Sequence, residues 1–400
     1  MIFLYLLAAA AISAQILFIY QVVGNYRYVL RKFDKNHTAY RPRTALIIPC
    51  KGIDTAFDRN IRSFYELDYK DYEIIFVTES SEDSAYGRLL ALKEEFKNLT
   101  KAFDIRVLVA GKAQQGSQKL HNLLYACGNA DKDVKIFAFA DSDACVRINW
   151  LNEIVYPLRK DWHGVTGGYR WYVPTRNNFA TLALSILNAK VAQLLGVTRF
   201  NHAWGGSMAV RVEVFKKLGM EKIWGKSASD DLTLSRASKK AGLRVIFVPA
   251  CYVASYEKIG FLNLLEFARR QFLITRITAP GTWWLGLLSS LYPLLGIWGF
   301  AAIALYLYNK AFDGWYIFLL VSLLFLAGQF LCAVLRQKMF FRIFPDDWPK
   351  LKVAAIADIA GNLFWSWFML FCVCSSMFGR IIKWRGVKYK LKSPTEVVRL

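Results

Sequence analysis

Long apolar runs constrain this 400-residue chain more than any other feature. Residues 1–23, 282–308, 315–335 and 353–378 each approach or exceed the roughly 20 residues that a helix needs to cross a bilayer. Lipid offers the backbone no hydrogen-bond partner, so runs of this length become helices that satisfy themselves. With 55% hydrophobic residues and a mean hydropathy of +0.25, the chain is too apolar for an ordinary soluble enzyme. Between the first run and the rest lies mixed sequence long enough for one soluble domain with its own core.

The first run has no basic leader. It flows into Tyr26-Arg27-Tyr28-Val29-Leu30-Arg31-Lys32 without a small-residue cleavage site, and it reads as a retained anchor over residues 1–25. The net charge of +22 flanks the apolar runs. Arg27, Arg31, Lys32, Lys35, Arg41 and Arg43 follow the first, and Arg380, Lys383, Arg385, Lys388, Lys390 and Lys392 follow the last. The positive-inside rule puts both clusters in the cytoplasm, against an anionic leaflet. Nucleic acid is disfavoured as a partner, because the charge borders bilayer segments and no nucleic-acid motif occurs. A soluble domain and a C-terminal tail on one side need an even number of crossings between them, yet three runs follow residue 280. One of them must therefore re-enter or break, at Pro293 or in the Asp358-to-Asn362 stretch.

The seven cysteines show no metal-ligand spacing, and the four histidines form no pair, which fits reduced structural thiols and no zinc site. From Thr44 onward, short apolar runs alternate with helical patterns. Strands are expected at 44–49, 73–78, 105–110 and 135–140, with helices at 61–67, 87–96 and 117–127. The fold class is therefore α/β, a mostly parallel sheet covered on both faces. The Gly-x-Gly-x-x-Gly and Gly-x-x-x-x-Gly-Lys-Ser/Thr loops are both absent, which disfavours dinucleotide enzymes and P-loop ATPases.

The fourth strand ends in Asp141-Ser142-Asp143. Alternate strand residues share a face, so two carboxylates would point together into the crevice where open α/β sheets bind ligands. Hard oxygen donors this close suit Mg²⁺ or Mn²⁺, and an ion so held grips a phosphate-bearing substrate. Lys119 opens a helix after Gly116-Ser117, a natural anion site. Trp204-Gly205-Gly206-Ser207 lets backbone approach a ligand closely, and Asp230 or Asp231 can serve as a general base. The stretch 257–277 carries apolar residues beside Arg269, Arg270 and Gln271 and reads as an interfacial helix; 181–196 is a second apolar helix able to touch lipid.

In this order the motifs resemble the GT-A glycosyltransferases of families 2 and 21, and look closest to the ceramide glucosyltransferase branch. The resemblance covers about residues 40–395. It implies a GT-A, Rossmann-like domain over 40–255, an interfacial helix over 256–280, a membrane region over 281–378 and a basic cytoplasmic tail over 379–400. It implies that Pro49 and Lys51 contact the nucleotide and that the uridine-binding acid is Glu79, Glu82 or Asp83. Lys119 and Asn122 match a Lys-x-x-Asn-Leu segment. Asp141 and Asp143 take the metal and diphosphate position, and Asp231 takes that of the base within the acidic pair Asp230-Asp231. Gly206-Ser207-Met208 with Arg211 resembles the acceptor-side loop, beside Trp204. Trp384-Arg385-Gly386, Tyr389 and Leu391 are similar to the branch's ending. The (Gln/Arg)-x-x-Arg-Trp element is missing; Arg269, Arg270 or Gln271 would take over diphosphate binding. The expected activity is inverting transfer of a hexose from a UDP-sugar, with Mg²⁺ or Mn²⁺, to a membrane-lipid hydroxyl. A processive polysaccharide synthase and a non-catalytic sugar-lipid binding protein are the alternatives.

Overall fold

The computed structural model describes residues 1–384 and 386–400; Arg385, part of the basic cluster and of the Trp-Arg ending, lies outside the described residues. Seven strands form one sheet: β1 (Thr44–Pro49), β2 (Tyr72–Thr78), β3 (Asp104–Val109), β4 (Ile136–Ala140), β5 (His163–Pro174), β6 (Ser207–Arg211) and β7 (Arg244–Glu257). Their order is β3-β2-β1-β4-β6-β5-β7. Only β6 runs antiparallel to its neighbours.

The strands read as unbroken apolar runs because both faces are covered. Leu46 and Ile48 of β1, with Ile136 and Ala138 of β4, enter one core; Ala45, Ile47, Phe137 and Phe139 enter the other. The covering helices begin where side chains cap them. Asp83 accepts from the Ala85 N–H at 2.9 Å, and Ser117 from Leu120 at 3.4 Å. Two helices start earlier than their periodicity suggests: the one at Ser84 because Asp83 caps it, and the one at Phe57, which no side chain caps, because Phe57 and Asn60 are buried in its first turn. Strand order reverses across β1 and β4, and a crevice opens at the carboxyl ends of strands at such a point.

The first apolar run is one helix, Ile2–Phe33. Its lipid-length half exposes Ile2, Phe3, Leu6, Ile16 and Leu17, whereas Val29 and Phe33 are buried against Trp171 and Val173 of β5. Tyr28 adds a hydrogen bond to the Phe247 carbonyl at 3.0 Å, so this helix is a strut anchored in the α/β domain. Helices Pro280–Asn309 and Trp315–Ile343 are also long and apolar enough to cross a membrane. Pro293 does not break the first of them, and a π turn follows it at Leu295–Gly299. The break falls at Gly361 instead, where Trp348–Ala360 and Asn362–Cys374 meet at 91°. A Cβ on Gly361 would lie 2.4 Å from Trp365 Nε1 and 2.7 Å from the Ala357 carbonyl, so the corner closes only on glycine.

Residues beyond Ser376 do not trail away as a tail. They form a three-stranded antiparallel sheet: β8 (Ile381–Trp384), β9 (Val387–Ser393) and β10 (Glu396–Arg399). Ile382, Tyr389, Leu391 and Val397 pack on Ala228, Leu273 and Ile274, while the alternating lysines face outward. The helix expected to be interfacial is correspondingly shorter than the apolar pattern suggests. It spans Phe261–Thr278, because Glu257 still belongs to β7. Two straight helices of membrane-crossing length and one bent pair lie in sequence between the α/β domain and this sheet.

A buried ion pair fixes that corner. Arg336 donates to both oxygens of Asp358 at 2.9 and 2.7 Å, and Gln337 donates to the same carboxylate at 2.6 Å. Asp358→Ala leaves the Arg336 guanidinium buried without its counter-ion, a loss of roughly 3–5 kcal/mol. The measurement is thermal unfolding in detergent. Arg336→Met combined with Asp358→Leu is expected to recover most of the loss, and strictly additive losses would show that the pair is not a structural unit.

Candidate active site

One cavity of about 1150 Å³ runs from the carboxyl ends of β1, β2 and β4 down among the long apolar helices. Asp141 and Asp143 enter it by a different route from strand alternation. β4 ends at Ala140, and the Ala144 N–H donates to the Asp141 carbonyl at 3.1 Å, closing a turn that presents both carboxylates. Lys119 stands between distant acids, its Nζ 2.8 Å from Asp141 Oδ1 and 2.9 Å from Asp230 Oδ2. Arg170 reaches Asp143 at 3.5 Å and lies over the Trp204 ring at 4.6 Å.

Burial sets the protonation of this group. It raises the Asp143 carboxyl, Arg170 opposes it, and Asp141 adds to it. It pushes Asp230 up to about 6; Lys119 opposes, and Asp231 and Asp141 reinforce. Burial alone would depress Lys119, but Asp141 and Asp230 more than reverse that and hold it raised and charged.

Asp231, next in sequence to Asp230, has different partners. Its Oδ1 accepts from Ser229 Oγ at 2.6 Å and the Leu232 N–H at 2.7 Å, and its Oδ2 accepts from the Gly205 N–H at 3.1 Å. The paired glycines serve these carboxylates. A Cβ on Gly205 would fall 2.3 Å from Asp230 Oδ2, and one on Gly206 would fall 2.8 Å from Asp141 Oδ2 and 2.2 Å from the Trp204 ring. The backbone is bare here so that the site's own acids can come close.

The other expected residues divide between cavity wall and scaffold. Pro49, Lys51, Glu79, Asn122, Trp204, Arg270 and Gln271 line the cavity. Lys51 pairs with Glu79 at 3.1 Å, and Asn122 accepts from Gln118 at 2.8 Å. Asp83 does not face the cavity: its Oδ1 accepts from the N–H groups of Gly52 and Ala85, tying the β1 and β2 ends together. Glu82 is exposed. Arg269 donates to the Phe378 carbonyl at 2.9 Å and lies outside the cavity lining. Ser207 is fully buried, accepting from Trp150 Nε1 and donating to the Cys251 carbonyl, and Gly206 packs beneath Trp204. Arg211 donates to carbonyls of Leu158, Lys160 and Asp161 and is scaffold as well.

Sequence reasoning missed Arg170, Glu257 and His202, which also line the cavity. Arg170 follows Gly167-Gly168, and the glycine pair hints at close approach, since a Cβ on Gly168 would sit 1.9 Å from the Cys251 carbonyl. His202 bonds Thr282 Oγ1 at 2.7 Å and is pushed down to about 4 by burial and Lys239, against Asp231, so it stays neutral. No group of three or more His, Cys, Asp or Glu able to hold a metal occurs among the described residues. Asp143 Oδ1, however, is buried with no hydrogen-bond partner there. Two carboxylates with one orphaned oxygen fit Mg²⁺ or Mn²⁺, which complete their shell with water and substrate phosphate.

The model of Glycosyl transferase family 21 matches residues 3–397. Among solved structures, the chain is similar to the mannosyltransferase PcManGT from Pyrobaculum calidifontis in complex with GDP-Man and Mn2+. The identity is 18%, the match covers 93% of this chain and 96% of that one, and the TM-score is 0.49. A glucosyl-3-phosphoglycerate synthase from Mycobacterium tuberculosis, with Mn2+, uridine-diphosphate and glucosyl-3-phosphoglycerate, matches at 15% identity. There the match covers 56% of this chain and 75% of that one, with a TM-score of 0.35.

Asp230 carries the charge that holds Lys119 in place, and it becomes neutral as pH falls through about 6. Donor turnover is therefore expected to decline on the acid side with a midpoint near 6. Asp230→Asn should abolish that limb in a plot of kcat/KM against pH. Superimposable profiles for the two proteins would remove Asp230 from the working site.

Proposed function

We infer the reaction from one premise: the chain belongs to glycosyl transferase family 21. It is a glycosyltransferase with helices long and apolar enough to span a membrane. The proposed reaction moves a hexose from a UDP-sugar to the hydroxyl of a membrane lipid, a ceramide or another lipid alcohol. The observation that carries this reading is the continuity of the cavity. The same space touches Asp141, Asp143 and Asp231 at one end and Tyr292, Gln329 and Met369 of the membrane helices at the other. A water-insoluble acceptor can reach the acids only from the bilayer, and this route requires no exit into water. Arg31, Lys32, Lys383 and Lys388 beside the bilayer favour a cytoplasmic catalytic side.

In this reading Pro49, Lys51 and Glu79 hold the nucleoside at the strand ends. Asp141 and Asp143 would hold Mg²⁺ or Mn²⁺, which supplies Lewis-acid neutralisation of the leaving diphosphate. Lys119, Arg170 and Arg270 keep positive charge along the cavity wall, and Gln271 lines it beside them. Asp231 takes the acceptor's proton, its carboxylate aimed by Ser229, Leu232 and Gly205. The acceptor oxygen bonds the anomeric carbon as the carbon–oxygen bond to the diphosphate breaks, and the electron pair leaves with UDP. A single displacement inverts the anomeric centre, so an α-linked donor gives a β-glycoside.

The test is transfer from UDP-hexoses to lipid by the purified full chain, with Mn²⁺ and Mg²⁺ titrated against an EDTA blank. Asp231→Asn is expected to lower kcat by about 10²–10⁴. Equal turnover by both proteins would mean that another group is the base. Asp143→Asn should raise the metal concentration needed for half-maximal rate. A wild-type preparation that binds UDP but never turns over donor would favour a sugar-lipid binding protein.

A further inference from the structure

The half of the cavity lined by the long apolar helices holds a cation that makes no ion pair among the described residues. Lys190, in helix Phe179–Ala192, lines the cavity, and its one hydrogen bond among the described residues is to Ser366 Oγ at 3.4 Å. An ammonium has three N–H donors and is costly to keep from water unless they are met. The nearby charged groups are already committed to each other. Asp358 accepts from Arg336 twice and from Gln337 once, and the remaining Arg336 bond goes to Gln193 Oε1 at 2.5 Å. Lys190 therefore faces the cavity with donors to spare.

Lys190 lines the same cavity as Asp141, Asp143 and Asp231, and its helix is tied to the strand that carries Arg170, where Asn188 donates to the Arg170 carbonyl at 2.8 Å. Toward the membrane the wall becomes apolar, with Leu187, Leu264, Met369 and Val373. A lipid seated with its chains on that wall and its hydroxyl toward Asp231 would hold its remaining polar atoms at the level of Lys190.

We propose that Lys190 receives a carbonyl or phosphoryl oxygen of the acceptor, so that the acceptor is a lipid bearing such an oxygen beside its reactive hydroxyl. The assignment rests on the lipid-transfer reading above and narrows it. Amide, ester and phosphate lipids qualify; a monohydroxy sterol, with nothing to offer Lys190, does not. Lys190 is a specificity residue on the acceptor side and takes no part in bond making.

The experiment uses the full chain in nanodiscs with saturating donor. Its separate acceptors are a ceramide, a diacylglycerol, a phosphatidylglycerol and a monohydroxy sterol, which distinguish amide, ester and phosphate oxygens from none. Wild type is expected to favour at least one oxygen-bearing lipid over the sterol by about tenfold or more in kcat/KM. Lys190→Met should raise the KM for that lipid about tenfold, with a smaller change in kcat, and Lys190→Arg should recover part of it. Equal use of the sterol by wild type overturns the assignment, whether or not the variants fold. So does a Lys190→Met protein whose acceptor KM moves less than about twofold. No transfer to any lipid by protein that still binds UDP overturns the lipid acceptor itself, and the Lys190 assignment with it.

Discussion

Carboxylates gathered in a buried space repel one another, and the Lys119 ammonium between Asp141 and Asp230 is what lets these acids share one cavity. The rest of the architecture serves that contact. Ser117 starts the helix that delivers Lys119, and its backbone N–H bonds the Ser227 carbonyl at 3.1 Å, tying that helix to the loop that leads into the helix Asp230–Lys240 and its two acids. Gly116, at φ +67°, lets the two segments meet, since a Cβ there would lie 2.8 Å from the Gly225 carbonyl. Gly205 and Gly206 remove the side chains that would otherwise fill the same space.

The same loop is braced from its other side by the end of the chain. The Val397 N–H bonds the Lys226 carbonyl at 2.7 Å, Ser227 Oγ donates to the Thr395 carbonyl at 2.9 Å, and Trp384, Tyr389 and Arg399 line the cavity. The helix Phe261–Thr278 is held to this sheet by Arg270 on the Lys383 carbonyl and to the turn before it by Arg276 on the Gly379 carbonyl. The long apolar helices, the helix Phe261–Thr278 and the C-terminal sheet therefore close around one site. The apolar helices are thus part of the wall around the acids, not an appendage to the α/β domain.

Much of this was legible beforehand. Apolar length predicts membrane helices wherever it exceeds the hydrocarbon thickness, and alternation of short apolar runs with helices predicts a two-face sheet. The Asp141/Asp143, Lys119 and Asp230/Asp231 groups stand out because charge interrupts those patterns. Other features were hidden for stated reasons. The alternation Val387-Lys-Tyr389-Lys-Leu391-Lys is a strand signal, but its charge reads first as a juxtamembrane tail. Arg170 sits inside a strand with no motif, and Ser207 looks exposed beside glycines although Trp150 and Cys251 use it internally.

Local sequence alone determined the elements, because helix and strand formation depends on apolar period, caps and glycine positions within a few residues. It also determined the kinds of side chain available for chemistry and the family to which the chain belongs. Only the tertiary structure decided which of those side chains meet. Lys119 bridges residues far apart in the chain, Asp83 caps while Glu79 faces the cavity, and Arg270 rather than Arg269 points inward. Contacts across such separations depend on how the sheet and helices pack around a shared space, and no period or spacing along the chain encodes that distance.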